Sequence, residues 1–331
     1  MDGATAFRYY FRVTRLRETV SKFNIAGTVL FDEPLSAHTS FRVGGPADAY
    51  IVPQRVEDVS RVVAGAARAG LPLFALGGGA NILVSDRGVR GIVLDLRDIR
   101  HIEIRDECLI VGAGYPMSEA AEYAADRGFA GPDFLYAMPG SVGGSVWMNA
   151  RCYGTSISDV LRSVQLVESD GSVRRYEPDP ADFAYKKSPF QTRMAVIYEA
   201  VLALKPEPAD DIRARMRKIE DDRRVKGHFD APSAGSVFKN NRAFGRPTGK
   251  IVDDLGLKGF SIGGARISPL HGNIIVNTGS ASASDILALI RHVESVVERE
   301  TGLILEREVI PVGEWPEETE LGIERVARTD R

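Results

Sequence analysis

The hydrophobic pattern of the first third of the chain predicts strands that alternate with a helix. The stretch ADAYIVP (47–53) has the apolar run of a buried strand. The apolar residues after it recur at helical spacing as far as Gly70, which is placed to end the helix. Two more strands are predicted at 73–76 and 91–96. Alternating strands and helices of this length favour βαβ pairing.

The middle of the chain has strand patterns at 101–104 and 109–114, and these are followed by a helix predicted over 117–128. Residues 164–178 alternate around an Asp-Gly pair, which is a strong turn signal for a hairpin. We therefore expect a second segment over residues 100–205.

The last third of the chain changes character, because residues 207–227 are strongly charged and predict a solvated helix. A clear amphipathic helix comes later, with Ser284 as the expected N-cap and Gly302 at its end. Strands are predicted on either side of that helix, at 273–277 and 305–312. We expect these elements to form a third segment.

The composition is that of an ordinary globular protein, with 44% hydrophobic and 26% charged residues in a chain of 331. That length predicts two or three domains. The net charge of −3 provides no basic field for nucleic acid or for an anionic membrane surface. No apolar run reaches the roughly 18 residues of a membrane span. We expect no nucleic-acid and no membrane partner, and a monomer or a weak homo-oligomer.

Cysteine usage and the N-terminal residues predict a cytoplasmic protein. The N-terminal stretch lacks the apolar core and the cleavage site of a signal peptide. Cys108 and Cys152 are the two cysteines, which fits a reducing cytosol better than a disulfide framework. Neither stands at metal-ligand spacing from a histidine or another cysteine, so no metal site is expected.

Two glycine-rich stretches are the first candidates for ligand binding: LGGGANILVSD (76–86) and PGSVGGSVWMNARCYG (139–154). Consecutive glycines after a strand let backbone N–H groups converge on an anion. The first stretch has neither the G-x-G-x-x-G spacing nor that of a Walker A loop, and a plain tight turn is the alternative. Together the two stretches favour one large phosphate-bearing cofactor held at two places.

Ser236, in the stretch PSAGSVFKNN (232–241), is a candidate reactive hydroxyl among small residues. The G-x-S-x-G elbow of hydrolases is absent and the five histidines offer no recognisable triad order, so a plain polar serine is the alternative. Farther on, LEREV (305–309) alternates so that Glu306 and Glu308 share one face. The alternative interpretation of this alternation is a half-exposed strand whose two carboxylates are solvated.

In their order along the chain, these motifs resemble one known family. The stretches HTSFRVGGPADAY, LGGGANILVSD, MPGSVGGSVWMNARCYG, YKKSPFQ, PSAGSVFKNN and LEREV occur in the order seen in the UDP-N-acetylenolpyruvoylglucosamine reductases, the MurB family. The resemblance runs from about residue 25 to 315. It implies an α+β fold, with a two-part FAD-binding region of the vanillyl-alcohol-oxidase-like (PCMH-type) kind and a C-terminal α/β substrate domain. Only 50 positions separate Lys186 from Ser236, so the chain resembles the shorter type, which lacks a Tyr-bearing lid loop.

The resemblance implies both a domain plan and a reaction. The implied domains are an N-terminal extension (1–24), two FAD-binding subdomains (25–98 and 99–210), a substrate-binding domain (211–315) and an acidic, mobile tail (316–331). The implied reaction is the NADPH-dependent reduction of the enolpyruvyl group of UDP-N-acetylglucosamine enolpyruvate to UDP-N-acetylmuramate, in peptidoglycan precursor synthesis. NADPH is the implied hydride donor, and a UDP-sugar is the implied partner.

The resemblance also implies which residues form the site. Non-covalently bound FAD is expected to contact Gly77, Gly78, Gly79, Ala80, Asn81, Ile82, Pro139, Gly140, Ser141, Val142, Gly143, Gly144, Asn149 and Arg223. Substrate contacts are expected from Tyr185, Lys226, Lys239, Asn240 and Asn273.

Three residues carry implied catalytic roles. Ser236 is expected to donate a proton to the α-carbon, and Glu308, as a neutral acid, is expected to hydrogen-bond the developing enolate. Lys186 stands where the family has an arginine, so a point charge replaces the planar donor pair that suits a carboxylate. We assign Lys186 the stabilisation of the substrate carboxylate, with Lys187 or a distant arginine as the alternative.

Other functions stay open from the sequence. One alternative is another FAD-dependent oxidoreductase of the same fold, a group in which the flavin is often attached covalently. Another is a nucleotide-sugar-binding protein without redox activity, which the lysine at position 186 allows. A serine hydrolase is a more distant alternative, since no triad is visible.

Overall fold

The computed structural model describes residues 14–316, so the predicted N-terminal extension lies partly outside the described residues and the predicted tail almost wholly so. The helices are α1 (14–21), α2 (Val56–Ala69), α3 (Met117–Ala125), α4 (Val142–Trp147), α5 (Ala209–Val225), α6 (Thr248–Asp254) and α7 (Ala283–Thr301). The strands are β1 (Gly27–Pro34), β2 (Pro46–Pro53), β3 (Leu73–Leu76), β4 (Ile82–Val84), β5 (Val89–Asp95), β6 (Ile102–Arg105), β7 (Cys108–Gly112), β8 (Phe129–Ala130), β9 (Arg151–Cys152), β10 (Thr155–Ser156), β11 (Leu161–Glu168), β12 (Val173–Tyr176), β13 (Ala195–Ala203), β14 (Lys205–Pro206), β15 (Ser261–Ile262), β16 (Ala265–Ile267), β17 (Ile275–Asn277) and β18 (Ile310–Val312). Within 14–316, none of the helices combines the length and the apolar composition that a bilayer crossing requires.

The first unit is a four-stranded sheet in the order β1-β2-β5-β3, with β5 parallel to both β2 and β3. Helix α2 connects β2 to β3, so the predicted βαβ arrangement is confirmed. Gly70 ends α2 in the left-handed conformation, at a φ of 62°, and its N–H bonds the carbonyls of Ala66 and Ala67. Val59, Val62 and Val63 are buried on one face of α2, as the helical spacing predicts.

The second unit is a five-stranded antiparallel sheet in the order β12-β11-β13-β7-β6. The predicted hairpin is confirmed, and Gly171 in its turn has a φ of 85°. Helix α3 ends at Ala125, three residues before the predicted end, because the N–H of Gly128 bonds the Ala125 carbonyl in a tight turn. One hydrophobic core joins this unit to the first, since residues of α2, α3, β7, β11 and β13 pack in a single cluster.

Helix α5 is exposed over most of its length, as its charge predicts, but Ile212 and Met216 are buried. These two side chains pack with Ala121, Ala125 and Ala130 of the second unit. The charged helix therefore rests on the second unit and leads the chain toward the third.

The third unit combines the sheet β15-β16-β17 with α6 and α7 around a second core. Helix α7 ends at Gly302 as predicted, but the prediction of Ser284 as its N-cap is wrong. The N-cap is Ser282, which forms a capping box with Asp285. The backbone N–H and the hydroxyl of Ser284 instead donate to Asp86, at 2.9 and 2.6 Å.

The strand predicted over 305–312 is shorter, since only Ile310–Val312 pairs, parallel to β4 of the first unit. Residues 305–309 cross from the third unit to the first. There Arg307 lies opposite Phe238 in an isolated bridge. The strand predicted at 273–277 is likewise limited to Ile275–Asn277, and Ile274 forms an isolated bridge with Ser236.

Asp86 should contribute measurably to stability, because it joins the first unit to the start of α7. Its carboxylate accepts from the N–H groups of Ala283 and Ser284, at 2.7 and 2.9 Å. We expect Asp86→Ala to lower the free energy of unfolding by about 0.5–2 kcal/mol, the usual cost of losing a helix cap. Urea denaturation of this variant beside Asp221→Ala, an exposed position on α5, measures the difference. Equal losses in the two variants would contradict a specific cap.

Candidate active site

A cavity of about 1810 Å³ lies where the three units meet. Both glycine-rich stretches line it, together with residues of α2 and β3 and the segment around Ser236. Ligand pockets for small molecules typically occupy about 300–1,000 Å³, so this cavity has room for more than one ligand. The predicted convergence of the two glycine stretches on one site is therefore seen in the fold.

The glycine stretches pack directly against each other. A Cβ atom on Gly78 would lie 2.6 Å from the Cα of Gly140, and one on Gly77 would lie 2.9 Å from the Ser141 hydroxyl. Gly79 has a φ of 62°, and a Cβ there would meet the carbonyl of His38 at 2.1 Å. Side chains at these positions would force the loops apart. The glycines thus form a backbone-lined cradle that suits a diphosphate.

Ser236 lies on an extended segment that is held from both sides. On one side the N–H of Val237 donates to the Asn273 carbonyl at 2.9 Å, and on the other the N–H of Glu308 donates to the Val237 carbonyl at 2.7 Å. The side chain of Asn273 is 2% exposed and bonds both the N–H and the carbonyl of Phe238. These bonds fix Ser236 and Glu308 on neighbouring segments, and both residues line the cavity.

Glu308 and Lys186 form an ion pair at the cavity wall. Lys186 Nζ lies 2.5 Å from Glu308 Oε1, and the two side chains are 10% and 11% exposed. Lys186 has a φ of 58°, a left-handed conformation that is strained for a residue with a Cβ and is common at functional sites. Asn149 donates to the Ala184 carbonyl at 2.9 Å and so supports the turn that carries Lys186.

The first glycine-rich stretch is also hydrogen-bonded to the segment that carries Glu308. Asn81 donates from Nδ2 to the Glu308 carbonyl at 3.0 Å, and the N–H of Ile310 donates back to the Asn81 carbonyl at 3.0 Å. The loop predicted to hold the cofactor and the segment that carries Glu308 are therefore fixed relative to each other.

Most of the predicted site residues line this one cavity. They are Gly77, Gly78, Gly79, Ala80, Asn81, Ile82, Pro139, Gly140, Ser141, Gly143, Gly144, Tyr185, Lys186, Arg223, Lys226, Ser236, Asn240 and Glu308. Four predicted residues are absent from the lining: Val142, Asn149, Lys239 and Asn273.

Each of the four has a visible structural role. Val142 is fully buried in the core that joins the first two units. Asn149 and Asn273 hold backbone near Lys186 and Ser236, as described above. Lys239 pairs with Glu306, with Nζ 2.5 Å from Oε1, and Glu306 is the solvated neighbour of Glu308, with its side chain 68% exposed.

Several cavity residues were not predicted as site residues. Cys152 and Tyr153 lie in the second glycine-rich stretch, whereas Met194, His228 and His271 belong to no motif. His228 is held beside Arg223, whose Nη2 lies 3.3 Å from His228 Nδ1. Burial raises the pKa of the Cys152 thiol even though Arg223 and Lys186 oppose the shift, so this cysteine is not an activated nucleophile.

Arg223 is a half-buried cation on the wall of the cavity. Burial lowers the pKa of its guanidinium, and its Nε has no hydrogen-bond partner among the residues that the structure describes. A buried guanidinium N–H without an acceptor is costly unless a ligand supplies one. Arg223 is therefore suited to an anionic or oxygen-rich ligand.

The packing of Gly78 on Gly140 leads to a test of the cradle. We expect Gly78→Ala to separate the loops, at a cost of about 1–3 kcal/mol for overpacking, and so to weaken FAD binding by about 10- to 100-fold. The FAD content of the purified protein and the dissociation constant from flavin fluorescence measure this. Gly256→Ala is the control, because Gly256 also has a positive φ, at 70°, but has no neighbour within 4 Å. Full FAD affinity in Gly78→Ala would contradict the cradle.

The fold and the cavity define an FAD-binding protein of the PCMH-type fold whose cofactor region is completed by a separate C-terminal unit. A family model described as an FAD binding domain matches residues 47–177, and one described as the C-terminal domain of UDP-N-acetylenolpyruvoylglucosamine reductase matches 227–312. The chain belongs to the UDP-N-acetylenolpyruvoylglucosamine reductase (MurB) family. The resemblance seen in the sequence and the predicted fold class are thus confirmed.

Individual relatives cover nearly the whole chain. The UDP-N-acetylenolpyruvoylglucosamine reductase of Treponema denticola is 41% identical over 306 residues, which are 87% of this chain and 95% of the relative. That of Borrelia garinii is 35% identical over 302 residues, or 91% and 98% of the two chains. The crystal structure of the enzyme from Thermus caldophilus superposes with a TM-score of 0.74 at 32% identity, and covers 88% of this chain and 100% of that one.

Proposed function

We propose that this protein reduces the enolpyruvyl group of UDP-N-acetylglucosamine enolpyruvate to UDP-N-acetylmuramate, with FAD as cofactor and NADPH as reductant, in peptidoglycan precursor synthesis. One observation carries the proposal: a single cavity joins the glycine cradle of the FAD-binding region to Ser236 and Glu308 of the reductase C-terminal domain. A hydrolase or a plain UDP-sugar-binding protein would not need a glycine cradle for FAD beside Ser236 and Glu308.

The residues present fit FAD. A Cβ atom on any of Gly77, Gly78 and Gly79 would come within 3 Å of a neighbouring atom, and the buried Nε of Arg223 has no acceptor among residues 14–316. We propose that the cavity-lining residues of the two glycine stretches hold the diphosphate and that Arg223 contacts the cofactor. When bound, FAD supplies hydride transfer, from NADPH to the β-carbon of the enolpyruvyl group.

Ser236 is proposed as the proton donor to the α-carbon. A hydroxyl is a weak acid toward oxygen bases at neutral pH, but a carbanion-like carbon is a strong base, so no activating histidine is required. What the reaction needs from the serine is a fixed position, and the bonds from Asn273 and Glu308 to its segment supply one. No described residue accepts a hydrogen bond from the Ser236 hydroxyl, which leaves that hydroxyl available to substrate.

Lys186 and Glu308 are proposed to stabilise the negative charge that develops on the enolate. An ammonium group has three donors, and Glu308 uses one of them at 2.5 Å. The remaining donors of Lys186 are available to the substrate carboxylate. Glu308, acting as a neutral acid, is proposed to donate a hydrogen bond to that enolate.

The substrate-side assignments and the domain plan remain proposals. Tyr185, Lys226 and Asn240 line the cavity and are proposed to contact the UDP-sugar, whereas Lys239 and Asn273 support the segment of Ser236. The stretch from Lys186 to Ser236 is taken up by β13, β14 and α5, as expected of the shorter type without a lid loop. A cytoplasmic location and a monomeric or weakly self-associating state are further predictions from the sequence.

The proposal is tested by the cofactor and by substrate-dependent NADPH oxidation. Purified protein should be yellow, should release its flavin on denaturation and should oxidise NADPH over many turnovers only when the enolpyruvyl UDP-sugar is present. Flavin that stays attached after denaturation would favour a covalent oxidoreductase of the same fold. A colourless protein that binds the sugar nucleotide would favour a binding protein without redox activity.

A further inference from the structure

The turn that carries Lys186 has a conformation that its residue types do not favour. Residues 184–187 form a tight turn, in which the N–H of Lys187 donates to the Ala184 carbonyl at 3.0 Å. Lys186 is the third residue of this turn, and its φ of 58° lies in the region that favours glycine or asparagine. A residue with a Cβ stays in this region only where neighbouring groups fix it there. The groups that hold the Lys186 backbone therefore help to place its ammonium.

The side chain of Gln191 bridges two main-chain carbonyls at this turn. Its Nε2 donates to the Lys186 carbonyl at 3.1 Å and to the Trp147 carbonyl at 3.2 Å. Both partners can only accept, so the amide must direct its nitrogen toward them, and the two hydrogens of that nitrogen match two acceptors. Among residues 14–316, no main-chain N–H donates to the Lys186 carbonyl. Gln191 therefore fixes the Lys186 backbone directly.

The Trp147 carbonyl belongs to the last turn of α4, where carbonyls have no donor within the helix. The hydroxyl of Ser188 donates to the same carbonyl at 2.6 Å, so two side chains of one segment satisfy it. At the other end of α4, the N-cap Ser141 accepts from the N–H of Gly144 at 3.3 Å, within the glycine cradle. The short helix therefore connects the cradle at one end to the Lys186 turn at the other.

The segment that carries Gln191 is anchored in the core. The preceding residue, Phe190, is 2% exposed and packs in the cluster that joins the first two units. Gln191 itself is half-buried and is absent from the lining of the cavity. Its amide bonds main chain rather than facing the space for ligands, so an effect of Gln191 on the reaction must pass through the residues that it holds.

We propose that Gln191 is a positioning residue for reduction of the enolpyruvyl group: it holds the Lys186 turn against the end of α4 and so fixes the ammonium relative to the cofactor cradle. This assignment rests on the proposed function, and on the role proposed there for Lys186. An ammonium is a point charge on a flexible four-carbon stem, so its placement depends on a fixed backbone more than that of a planar guanidinium does. A shift of about 1 Å in such a group can cost about 100-fold in rate.

Three substitutions at position 191 test the amide. Gln191→Leu removes both donors, and Gln191→Glu keeps the shape but turns a carboxylate toward two carbonyls. Both variants should slow reoxidation of the reduced flavin by the enolpyruvyl substrate by about 10- to 100-fold, with flavin reduction by NADPH at the wild-type rate. Gln191→Lys, whose ammonium has three donors, should recover most of the rate. Gln54→Leu is the control, since Gln54 is exposed and does not line the cavity.

A double-mutant cycle with Lys186→Ala separates positioning from a general structural effect. If Gln191 acts through the ammonium, Gln191→Leu should change the reoxidation rate by less than about 2-fold once Lys186 is replaced, because nothing is left to position. Titration of the oxidised protein with UDP-N-acetylmuramate, followed by the flavin absorbance, adds a readout without turnover. Gln191→Leu should weaken this binding in the wild-type background and leave it unchanged in the Lys186→Ala background.

Equal slowing by Gln191→Leu in the two backgrounds would overturn the assignment and make Gln191 a structural residue. Wild-type reoxidation in both Gln191→Leu and Gln191→Glu would overturn it as well. Loss of FAD or slower reduction by NADPH in these two variants would instead assign Gln191 to the cradle. Failure of the wild-type flavin to be reoxidised by the enolpyruvyl substrate would overturn the proposed function itself, whereas normal wild-type turnover with additive losses would overturn this assignment alone.

Discussion

Ser236→Ala is expected to slow reoxidation of the reduced flavin by the enolpyruvyl substrate by about 10²–10⁴-fold, the usual contribution of a positioned proton donor. Reduction of the flavin by NADPH is expected to proceed at the wild-type rate, because Ser236 takes no part in that half of the reaction. The backbone of the segment is held by Asn273 and Glu308, so removal of one hydroxyl should leave its position unchanged.

Stopped-flow absorbance of the flavin measures the two half-reactions separately. Ser261→Ala is the matched control, since Ser261 is exposed on β15 and does not line the cavity. If both half-reactions slow to the same extent in Ser236→Ala, the serine is structural and the proposed donor is wrong. Unchanged reoxidation in Ser236→Ala would also show that Ser236 is not the proton donor.

Lys186→Ala is expected to lower the rate of flavin reoxidation by about 10²–10³-fold, the cost of removing one donor to a developing oxyanion. The substitution also leaves the carboxylate of Glu308, which is only 11% exposed, without its partner at 2.5 Å. An unpaired buried charge is destabilising, so the melting temperature should fall as well. Lys186→Arg should keep most of the rate, since a guanidinium reaches both Glu308 and a substrate carboxylate.

Single-turnover reoxidation of the three proteins, with Lys187→Ala as control, separates the roles of the two lysines. Lys187 is the neighbouring cation, is exposed and is absent from the cavity lining. Full turnover in Lys186→Ala would exclude Lys186, and a large loss in Lys187→Ala would transfer the role to the neighbour. A loss of stability without a loss of rate would make the ion pair with Glu308 purely structural.

The fold could be predicted from the sequence where the information is local. The valines of α2 and the apolar face of α7 have helical spacing, and glycines 70 and 302 end those helices as expected. The N-cap of α7 could not be chosen in this way, because Ser282 and Ser284 are both suitable residue types. Asp86, almost 200 residues earlier in the chain, occupies the N–H of Ser284, and this long-range contact has no local pattern.

The candidate site also combines features that local sequence predicts with features that depend on long-range contacts. Motifs identified the two glycine stretches, Ser236 and Glu308, and the fold brings all of them to one cavity. A motif does not reveal whether a side chain faces a ligand or holds backbone, so Asn149 and Asn273 were predicted as ligand contacts although they bond main chain near the site.

The two cavity histidines could not be identified as a pair from the sequence. His228 and His271 are 43 positions apart and belong to no common pattern, so only the packing of the third unit reveals that they meet.

The most direct test of the central claim is a two-step anaerobic mixing experiment followed by the flavin absorbance. NADPH is added first, in an amount equal to the bound FAD, and the enolpyruvyl UDP-sugar is added once the yellow colour has bleached. The account predicts that the colour returns on the second addition and that one equivalent of UDP-N-acetylmuramate forms per flavin. A flavin that bleaches with NADPH but stays reduced when the enolpyruvyl UDP-sugar is added would contradict it.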